Sequence, residues 1–223
     1  MEEAEVIFAK NFTERNKRQT MKIICVGRNY SEHAKELKNE IPDKPVIFIK
    51  PQTSLLKDNK PFYYPEWTTD LHYETEIVLK VCKQGKYISE KFAYKYFEEV
   101  TVGIDFTARD LQNQQKAKGL PWEIAKAFDN SAVIGTFQKI NTEQMKKGVE
   151  FSMELNGSRT QHGNTNDMMF SFDKIIAYVS QFFTLQTGDL IFTGTPAGVG
   201  PVKIGDRLKG FLREECVFDF EIK

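Results

Sequence analysis

The alternation of apolar and polar positions is clearest between Asp70 and Cys82, where a two-residue period predicts a β-strand. One face would carry Leu71, Tyr73, Thr75, Ile77, Leu79 and Val81, and the other His72, Glu74, Glu76, Val78 and Lys80. Glu74 and Glu76 would therefore point the same way, about 7 Å apart at the backbone. Their carboxylates could converge on one cation, or they could be solvated on the polar face of a half-buried strand.

The rest of the hydrophobic pattern predicts many short strands and a few helices. Strands are predicted at residues 23–26, 45–51, 100–104, 133–137 and 149–155, after residue 188, and twice between 202 and 222 around Gly205 and Asp206. Helices are predicted from about residue 30, at 89–99, at 106–118 with Gly119 ending the helix, and at 168–183. Asn156 and Gly157 form a dipeptide typical of a tight hairpin turn.

The first predicted helix carries a possible general base. Asn29 or Ser31 could cap this helix, and His33 and Glu36 are three residues apart and so share a face. A glutamate in that position can fix the tautomer of the imidazole and raise its basicity. The alternative is an ordinary surface contact on an amphipathic helix. The proline-containing polar segment 38–45 predicts a loop that could close over the site.

Candidate partners for the glutamate pair follow further along the chain. Asp105 stands at the end of a predicted strand, where it could cap the next helix or supply a third carboxylate and complete a Mg²⁺ or Mn²⁺ site. Arg109 and Gln112 are three residues apart and about one turn beyond, so both could face whatever Asp105 binds. Lys126 stands among apolar residues, and Lys50 ends a strand as either a surface lysine or an anion-binding group.

Composition narrows the class of partner. The 223-residue chain has 31 lysine and arginine residues and 31 aspartate and glutamate residues, so its net charge favours a small molecule over nucleic acid or an anionic membrane. The three cysteines form no C-x-x-C pair, and no run approaches the ~20 apolar residues of a membrane span, which predicts a reduced, cytoplasmic protein. In residues 1–20, charged residues interrupt the short apolar stretch at 6–8. This segment is expected to be an N-terminal appendage to a single catalytic domain at 21–223.

Four ordered motifs resemble those of the fumarylacetoacetate hydrolase family. They are residues 27–30 (GRNY), 73–76 (YETE), 103–110 (GIDFTARD) and 193–200 (TGTPAGVG). The resemblance covers about residues 22–222 and is close to the short, single-domain members that act as acylpyruvate hydrolases and oxaloacetate decarboxylases. It implies an α+β, mostly β fold, a mixed β-sandwich roll with a few peripheral helices, and a homodimer.

The resemblance also implies roles for the candidate residues. A Mg²⁺ or Mn²⁺ ion would be held by Glu74, Glu76 and Asp105. The catalytic dyad would be His33 and Glu36, with Lys126 steadying a developing enolate. The keto acid end of the substrate would be met by four residues, Lys50, Arg109, Gln112 and Thr195.

The activity implied first is hydrolysis of a C–C bond in an acylpyruvate, a 2,4-dioxo acid, with release of pyruvate. His33 would deprotonate a water molecule, and cleavage would release an enolate stabilised by the ion and Lys126. Oxaloacetate decarboxylation and isomerisation of a 2-hydroxyhepta-2,4-diene-1,7-dioate pass through a related enolate and stay open, as does a non-catalytic metal-binding homologue. The expected partner is therefore a small dicarboxylate or 2-oxo acid.

Overall fold

The computed structural model describes residues 21–36 and 41–223. The predicted appendage at 1–20 lies outside the described residues, as do residues 38–40 of the loop predicted to close over the site. The division into an appendage and one catalytic domain therefore stays a prediction. None of the helices in the described part of the chain is long and apolar enough to cross a membrane.

Short strands dominate the described residues, with five helices placed among them. The strands are β1 Ile23–Gly27, β2 Val46–Lys50, β3 Leu55–Leu56, β4 Leu71–Tyr73, β5 Thr75–Val81, β6 Phe97–Asp105, β7 Thr107–Ala108, β8 Ala132–Ile134, β9 Gln138–Lys139, β10 Glu150–Leu155, β11 Ser158–Asn164, β12 Leu190–Phe192, β13 Gly200–Pro201, β14 Arg207–Leu212 and β15 Glu215–Glu221. The helices are α1 Ser31–Glu36, α2 Arg109–Lys118, α3 Glu123–Lys126, α4 Thr142–Lys147 and α5 Phe172–Phe182.

Three sheets organise these strands. The largest has the order β2-β1-β12-β5-β6-β8-β3, with β9 paired beside β6. In it β1 runs parallel to β12 and β3 parallel to β8, and the other pairs are antiparallel. A second sheet has the order β11-β10-β14-β15, and a third the order β13-β4-β7. The prediction of an α+β, mostly β fold with a few helices is confirmed.

Apolar side chains cover both faces of the largest sheet. On one face of β5, Ile77 and Leu79 are fully buried in the main core. α5 belongs to this core because Ile175 and Val179, four residues apart, are fully buried on one side of the helix. On the other face of β5, Val78 packs in a smaller apolar cluster. The sequence left open a strand with one solvated face. That interpretation is wrong, because β5 is buried on both faces.

The predicted strand 70–82 is divided in two at Glu74. β4 pairs with β7 and β13 in the small sheet, whereas β5 pairs with β6 and β12 in the large one. The chain changes sheets between Tyr73 and Thr75, so Glu74 lies at the junction. The spacing of the two glutamates was predicted correctly, but the break between the strands depends on distant partners that local alternation does not reveal.

Other boundaries also differ from the prediction, and the helix expected at 168–183 begins only at Phe172. The helix expected at 106–118 begins only at Arg109, because residues 107–108 pair with β4. The segment 89–99 forms a 3-10 helix over Glu90–Tyr96 and then enters β6. The last hairpin turns between β14 and β15, with Arg213 at a φ of 57°, whereas the turn at Gly205 precedes β14. The late start of α2 follows from pairing with a distant strand, β4, which local periodicity does not reveal.

Asn29, one of the two residues expected to cap α1, instead links three segments of the chain through its side chain. Its side chain is fully buried, and its Nδ2 donates to Thr193 O at 2.8 Å and to Phe170 O at 3.0 Å. Its Oδ1 accepts from Phe170 N at 2.8 Å. Gly194 packs so closely against this residue that an added Cβ would lie 2.6 Å from Asn29 Cβ. Asn29 thus holds the loop after β12 against the start of α1.

We predict that Asn29→Ala lowers the free energy of unfolding by roughly 2 to 4 kcal/mol, because it leaves buried backbone groups without partners. Urea denaturation followed by circular dichroism would measure this. The control is Asn113→Ala, at an exposed position of α2, which should change stability by less than about 0.5 kcal/mol. Equal stabilities of the two variants would contradict the assigned role of Asn29.

Candidate active site

Three acidic side chains meet where the central strands of the large sheet end. Glu74 lies at the junction of β4 and β5, Glu76 is on β5, and Asp105 is the last residue of β6. The pairing of Thr75 with Ile104 and of Glu76 with Gly103 brings these strand ends side by side. One carboxylate oxygen from each acid lies within 4.8 Å of the others, and all three side chains are buried. The three acids predicted from the sequence are therefore brought together.

Buried cations neutralise part of this acid cluster. Lys126, on α3, places its Nζ 2.7 Å from Glu74 Oε2 and 2.9 Å from Asp105 Oδ2, and also donates to Thr107 Oγ1 at 2.6 Å. Arg109 Nη2 donates to the other oxygen of Glu74, Oε1, at 2.6 Å. Lys50 is fully buried, and its Nζ lies 2.7 Å from Asp105 Oδ1. Glu74 and Asp105 are thus paired directly with positive charges.

Glu76 is held differently from its two neighbours. Its Oε2 accepts a hydrogen bond from Gly194 N at 2.8 Å, and it forms no ion pair within the described residues. Burial, Asp105 and Glu74 raise the pKa of Glu76 well above its usual value. Burial would also raise the pKa of Glu74, but Lys126 and Arg109 outweigh it and hold that pKa well below the usual range. In the absence of a metal ion, Glu76 is therefore the acid of the cluster that most readily holds a proton.

The donor set suits a hard divalent cation. Three carboxylates supply the oxygen ligands that Mg²⁺ and Mn²⁺ prefer. The Oδ1 atom of Asp105 is buried, and Lys50 Nζ at 2.7 Å is its one close cation among the described residues, so the oxygen keeps a lone pair that a metal ion could use. Glu76 lacks a counter-charge among the described residues. A bound cation would satisfy both features, so the residues fit the metal that the family resemblance implies.

His33 and Glu36 lie together on α1, as the sequence predicted. His33 Nδ1 is 3.2 Å from Glu36 Oε2, and Glu36 accepts from Gly198 N at 3.1 Å through Oε1. Burial lowers the pKa of His33 from its usual value, although Glu74 and Glu36 oppose the shift. The imidazole is therefore neutral at neutral pH. With Nδ1 facing a carboxylate, Nε2 is the nitrogen available to accept a proton.

A small cavity of about 30 Å³ joins the base to Glu74 of the acid cluster. Its lining consists of Gly27, Arg28, His33, Phe48, Glu74, Arg109, Gln112, Lys116, Trp122 and Lys126. Arg109 and Gln112 are linked by a hydrogen bond of 2.7 Å between Nη1 and Oε1. Arg28 and Lys116 were not singled out from the sequence. Lys116 follows Gln112 by four residues, and that helical spacing would have indicated a shared face.

Lys50 and Thr195 were predicted to bind substrate, and in the structure both form hydrogen bonds with other protein groups. Lys50 donates to Ser131 O and Oγ, both at 2.9 Å, and does not line the cavity. Thr195 Oγ1 accepts from Gln161 Nε2 at 2.9 Å. Their roles in substrate binding stay predictions. Gln161 itself was missed, because a single glutamine within an alternating strand carries no chemical pattern.

The chain is similar to proteins of one known family. Residues 22–222 match the family model described as "Fumarylacetoacetate (FAA) hydrolase C-terminal". The chain is 43% identical over 189 residues to a Dictyostelium discoideum protein named "Oxaloacetate decarboxylase, mitochondrial", covering 84% of this chain and 87% of that protein. It is 37% identical over 201 residues to the Bos taurus protein named "Oxaloacetate tautomerase FAHD1, mitochondrial", covering 90% and 91%.

A solved structure gives a similar result. The fumarylpyruvate hydrolase from Pseudomonas aeruginosa, in complex with Mn²⁺ and pyruvate, superposes with a TM-score of 0.85 and 34% sequence identity, covering 91% of this chain and 89% of that chain. That protein and the two relatives are named for small 2-oxo acids. The cytoplasmic location and the homodimer expected from the sequence stay predictions.

We predict that Glu76→Gln makes the metal-free protein more stable than the wild type as the pH rises from about 5 to about 8. Because the pKa of Glu76 is raised in the folded protein, the folded wild type keeps a proton at pH values where the unfolded chain has already released it. The free energy of unfolding of the wild type is therefore highest below the pKa of an ordinary glutamate, and it falls as the pH rises from there through the raised pKa of the folded state. Glutamine has no such titration and can still accept from Gly194 N.

Urea denaturation in EDTA at the two pH values would measure the difference between the variants. Adding Mn²⁺ should reverse the order, because the wild type keeps all three carboxylates and gains more from the cation. Parallel pH profiles for wild type and variant would contradict the charge distribution described for the cluster.

Proposed function

Because this chain belongs to the fumarylacetoacetate hydrolase family, we propose that it is a divalent-metal-dependent enzyme that interconverts the keto and enol forms of oxaloacetate. Membership makes the chain an enzyme, so the non-catalytic alternative is set aside. The observation that carries the proposal is the cavity in which a buried, neutral histidine faces the same space as Glu74, the acid of the cluster that is paired with Lys126 and Arg109. Two relatives are named for oxaloacetate, and this favours oxaloacetate as the substrate over the acylpyruvates that were expected first from the sequence.

In this proposal Glu74, Glu76 and Asp105 hold Mg²⁺ or Mn²⁺. When bound, the ion supplies Lewis-acid polarisation of the substrate's 2-oxo group, which makes the neighbouring C–H bonds more acidic. Support comes from the donor set of this chain and from the Mn²⁺ named in the related hydrolase structure. Glu76 must lose its proton to act as a ligand, so binding should strengthen as the pH rises.

The charges of the cavity favour a dicarboxylate. Arg28 and Lys116 line it and form no ion pair with the described residues, whereas Arg109 and Lys126 are already paired with Glu74. Burial, Arg109 and Arg28 lower the pKa of Lys116 to about 8, so it is still mostly protonated at neutral pH. A ligand with a carboxylate at each end would relieve this repulsion among cations. Oxaloacetate has that form, and acetylpyruvate has only one carboxylate.

His33 would move the proton. Its Nδ1 hydrogen bond to Glu36 fixes the imidazole, so Nε2 would take a proton from carbon 3 of the keto form. The electron pair of the broken C–H bond forms the C2–C3 double bond of the enolate, and the C2 oxygen carries the charge. Lys126 would steady that oxygen by exchanging one of its present hydrogen-bond partners. Return of a proton to the oxygen completes the enol.

Hydrolysis of an acylpyruvate is the second candidate, and the similarity to a fumarylpyruvate hydrolase favours it. In that reaction His33 Nε2 would take a proton from water instead of carbon. Hydroxide would attack the distal carbonyl, and cleavage would give a carboxylic acid and the enolate of pyruvate. Both reactions need the same base and the same stabilisation of an enolate oxygen, so the substrate decides between them.

We expect the protein with Mg²⁺ or Mn²⁺ to accelerate ketonisation of enol-oxaloacetate above the metal-only rate, because the cavity combines a neutral base with cations for two carboxylates. The loss of enol absorbance in the ultraviolet measures tautomerisation, and pyruvate formation from oxaloacetate or acetylpyruvate reports decarboxylation or hydrolysis. Oxalate should inhibit each activity, because it resembles the planar enolate of pyruvate. Glu76→Ala with the same metal is the control for catalysis by free ions.

Pyruvate release from acetylpyruvate without tautomerisation of oxaloacetate would replace the main proposal by the hydrolase. Activity with neither compound, with metal present, would contradict both.

His33→Ala should lower kcat by about two to four orders of magnitude, because it removes the general base. The affinities for Mn²⁺ and for oxalate should change little, since the acid cluster and the cationic side chains are retained. Calorimetric titration measures both affinities. The matched control is His162→Ala, because His162 is exposed and lies outside the cavity. Near-normal turnover by His33→Ala would remove His33 from the mechanism.

A further inference from the structure

Gln161 is a buried residue of β11 whose side-chain amide is fully engaged. Its Oε1 accepts from Thr75 N at 2.9 Å. Its Nε2 donates to Thr195 Oγ1 and to Pro196 O, both at 2.9 Å. The side chain is 1% exposed, so none of these groups has water as an easy substitute. One amide therefore links the segment between the two glutamates to the loop at residues 193–200.

The end of β12 explains why Thr75 needs this partner. β5 pairs with β12 only from Val78 to Lys80, and after Phe192 the chain leaves the sheet as the loop. Thr193 N still donates to Ile77 O at 3.1 Å. Thr75 N, two residues further along the same edge, has no strand beside it and bonds to Gln161 instead. The amide of Gln161 takes the place of a peptide group in the missing strand.

The same loop contacts both halves of the proposed site. Gly194 N donates to Glu76 Oε2 at 2.8 Å, and Gly198 N donates to Glu36 Oε1 at 3.1 Å. Gly198 packs closely on β11, because an added Cβ would lie 2.5 Å from Thr160 O. Its φ of +99° also favours glycine. A shift of the loop relative to β5 would therefore move the partners of a proposed metal ligand and of the base pair together.

We propose that Gln161 is a positioning residue that sets Glu76 and the His33–Glu36 pair at once, by fixing the loop at 193–200 against Thr75. The roles given to Glu76 and to the histidine pair rest on the proposed function. Gln161 touches neither the cavity nor the carboxylate oxygens in the described contacts, so it acts only through the loop.

The test is Gln161→Met, which keeps the length of the side chain and removes its hydrogen bonds. Mn²⁺ affinity, measured by titration of the metal-free protein, should fall by about tenfold to a hundredfold, as for other residues that orient metal ligands. At saturating Mn²⁺, kcat for oxaloacetate should also fall by about tenfold or more, with a smaller change in KM. Hydrogen exchange in the metal-free protein should become faster over residues 193–200.

Gln138→Met is the matched control, since Gln138 is a partly buried glutamine on β9, which pairs with β6 at Val100, far from Asp105. It should leave Mn²⁺ affinity and kcat within about twofold of the wild type. A lower thermal stability of Gln161→Met with unchanged Mn²⁺ affinity and kcat would overturn the proposal, because a purely structural role gives that result.

If Gln161→Met does not fold, Gln161→Asn serves instead, because it keeps an amide that is one methylene too short to reach both Thr75 and Pro196. The same losses are expected, and wild-type values would overturn the proposal. If the wild type turns over none of the 2-oxo acids, the proposed function fails, but the Mn²⁺ titration and the hydrogen exchange still decide the role of Gln161.

Discussion

Burial of three carboxylates within reach of one another is the constraint on which the rest of the site depends. Glu74, Glu76 and Asp105 would repel each other strongly in a dry interior, and their burial costs free energy unless positive charge accompanies it. Lys126 supplies that charge by bridging two of the acids. A lysine so deeply buried is itself stable only because the acids hold its charged form, and burial alone would lower its pKa. The acids and the lysine therefore require each other.

The glycine-rich loop extends this dependence to the base. Glu76, the acid without a cation among its described contacts, is held by the backbone N–H of Gly194, and Glu36 by that of Gly198. Backbone donors fix a carboxylate without adding a charge, which leaves Glu76 open to a metal ion. They also make the geometry of the loop part of the site. Asn29 and Gln161, which bind the loop at its start and at its middle, therefore matter although neither lines the cavity.

The sequence predicted what depends on local spacing and missed what depends on long-range pairing. The two glutamates followed from a period of two, and His33 and Glu36 from a helical spacing of three. The late start of α2 could not be predicted, because residues 107–108 extend into a strand only when β4 lies beside them. Gln161 escaped for the same reason. Its importance comes from the point at which β12 leaves the sheet, and no single segment of sequence contains that information.

The lowered pKa of His33 suits a reaction that runs in both directions. A neutral imidazole is needed to take a proton from carbon 3 of a keto acid, and burial provides it at neutral pH. The reverse step needs the protonated imidazole to give that proton back, and a group with a lowered pKa is a stronger acid once it is charged. Glu36 and burial act on the pKa of His33 in opposite directions. The carboxylate of Glu36 stabilises the charged imidazole, whereas burial favours the neutral one. Decarboxylation forms the enolate without a base, but carbon 3 of that enolate must then be protonated, and a charged imidazole could supply the proton. The pair therefore suits proton transfer at carbon 3 in either direction, a step that tautomerisation and decarboxylation of oxaloacetate would share.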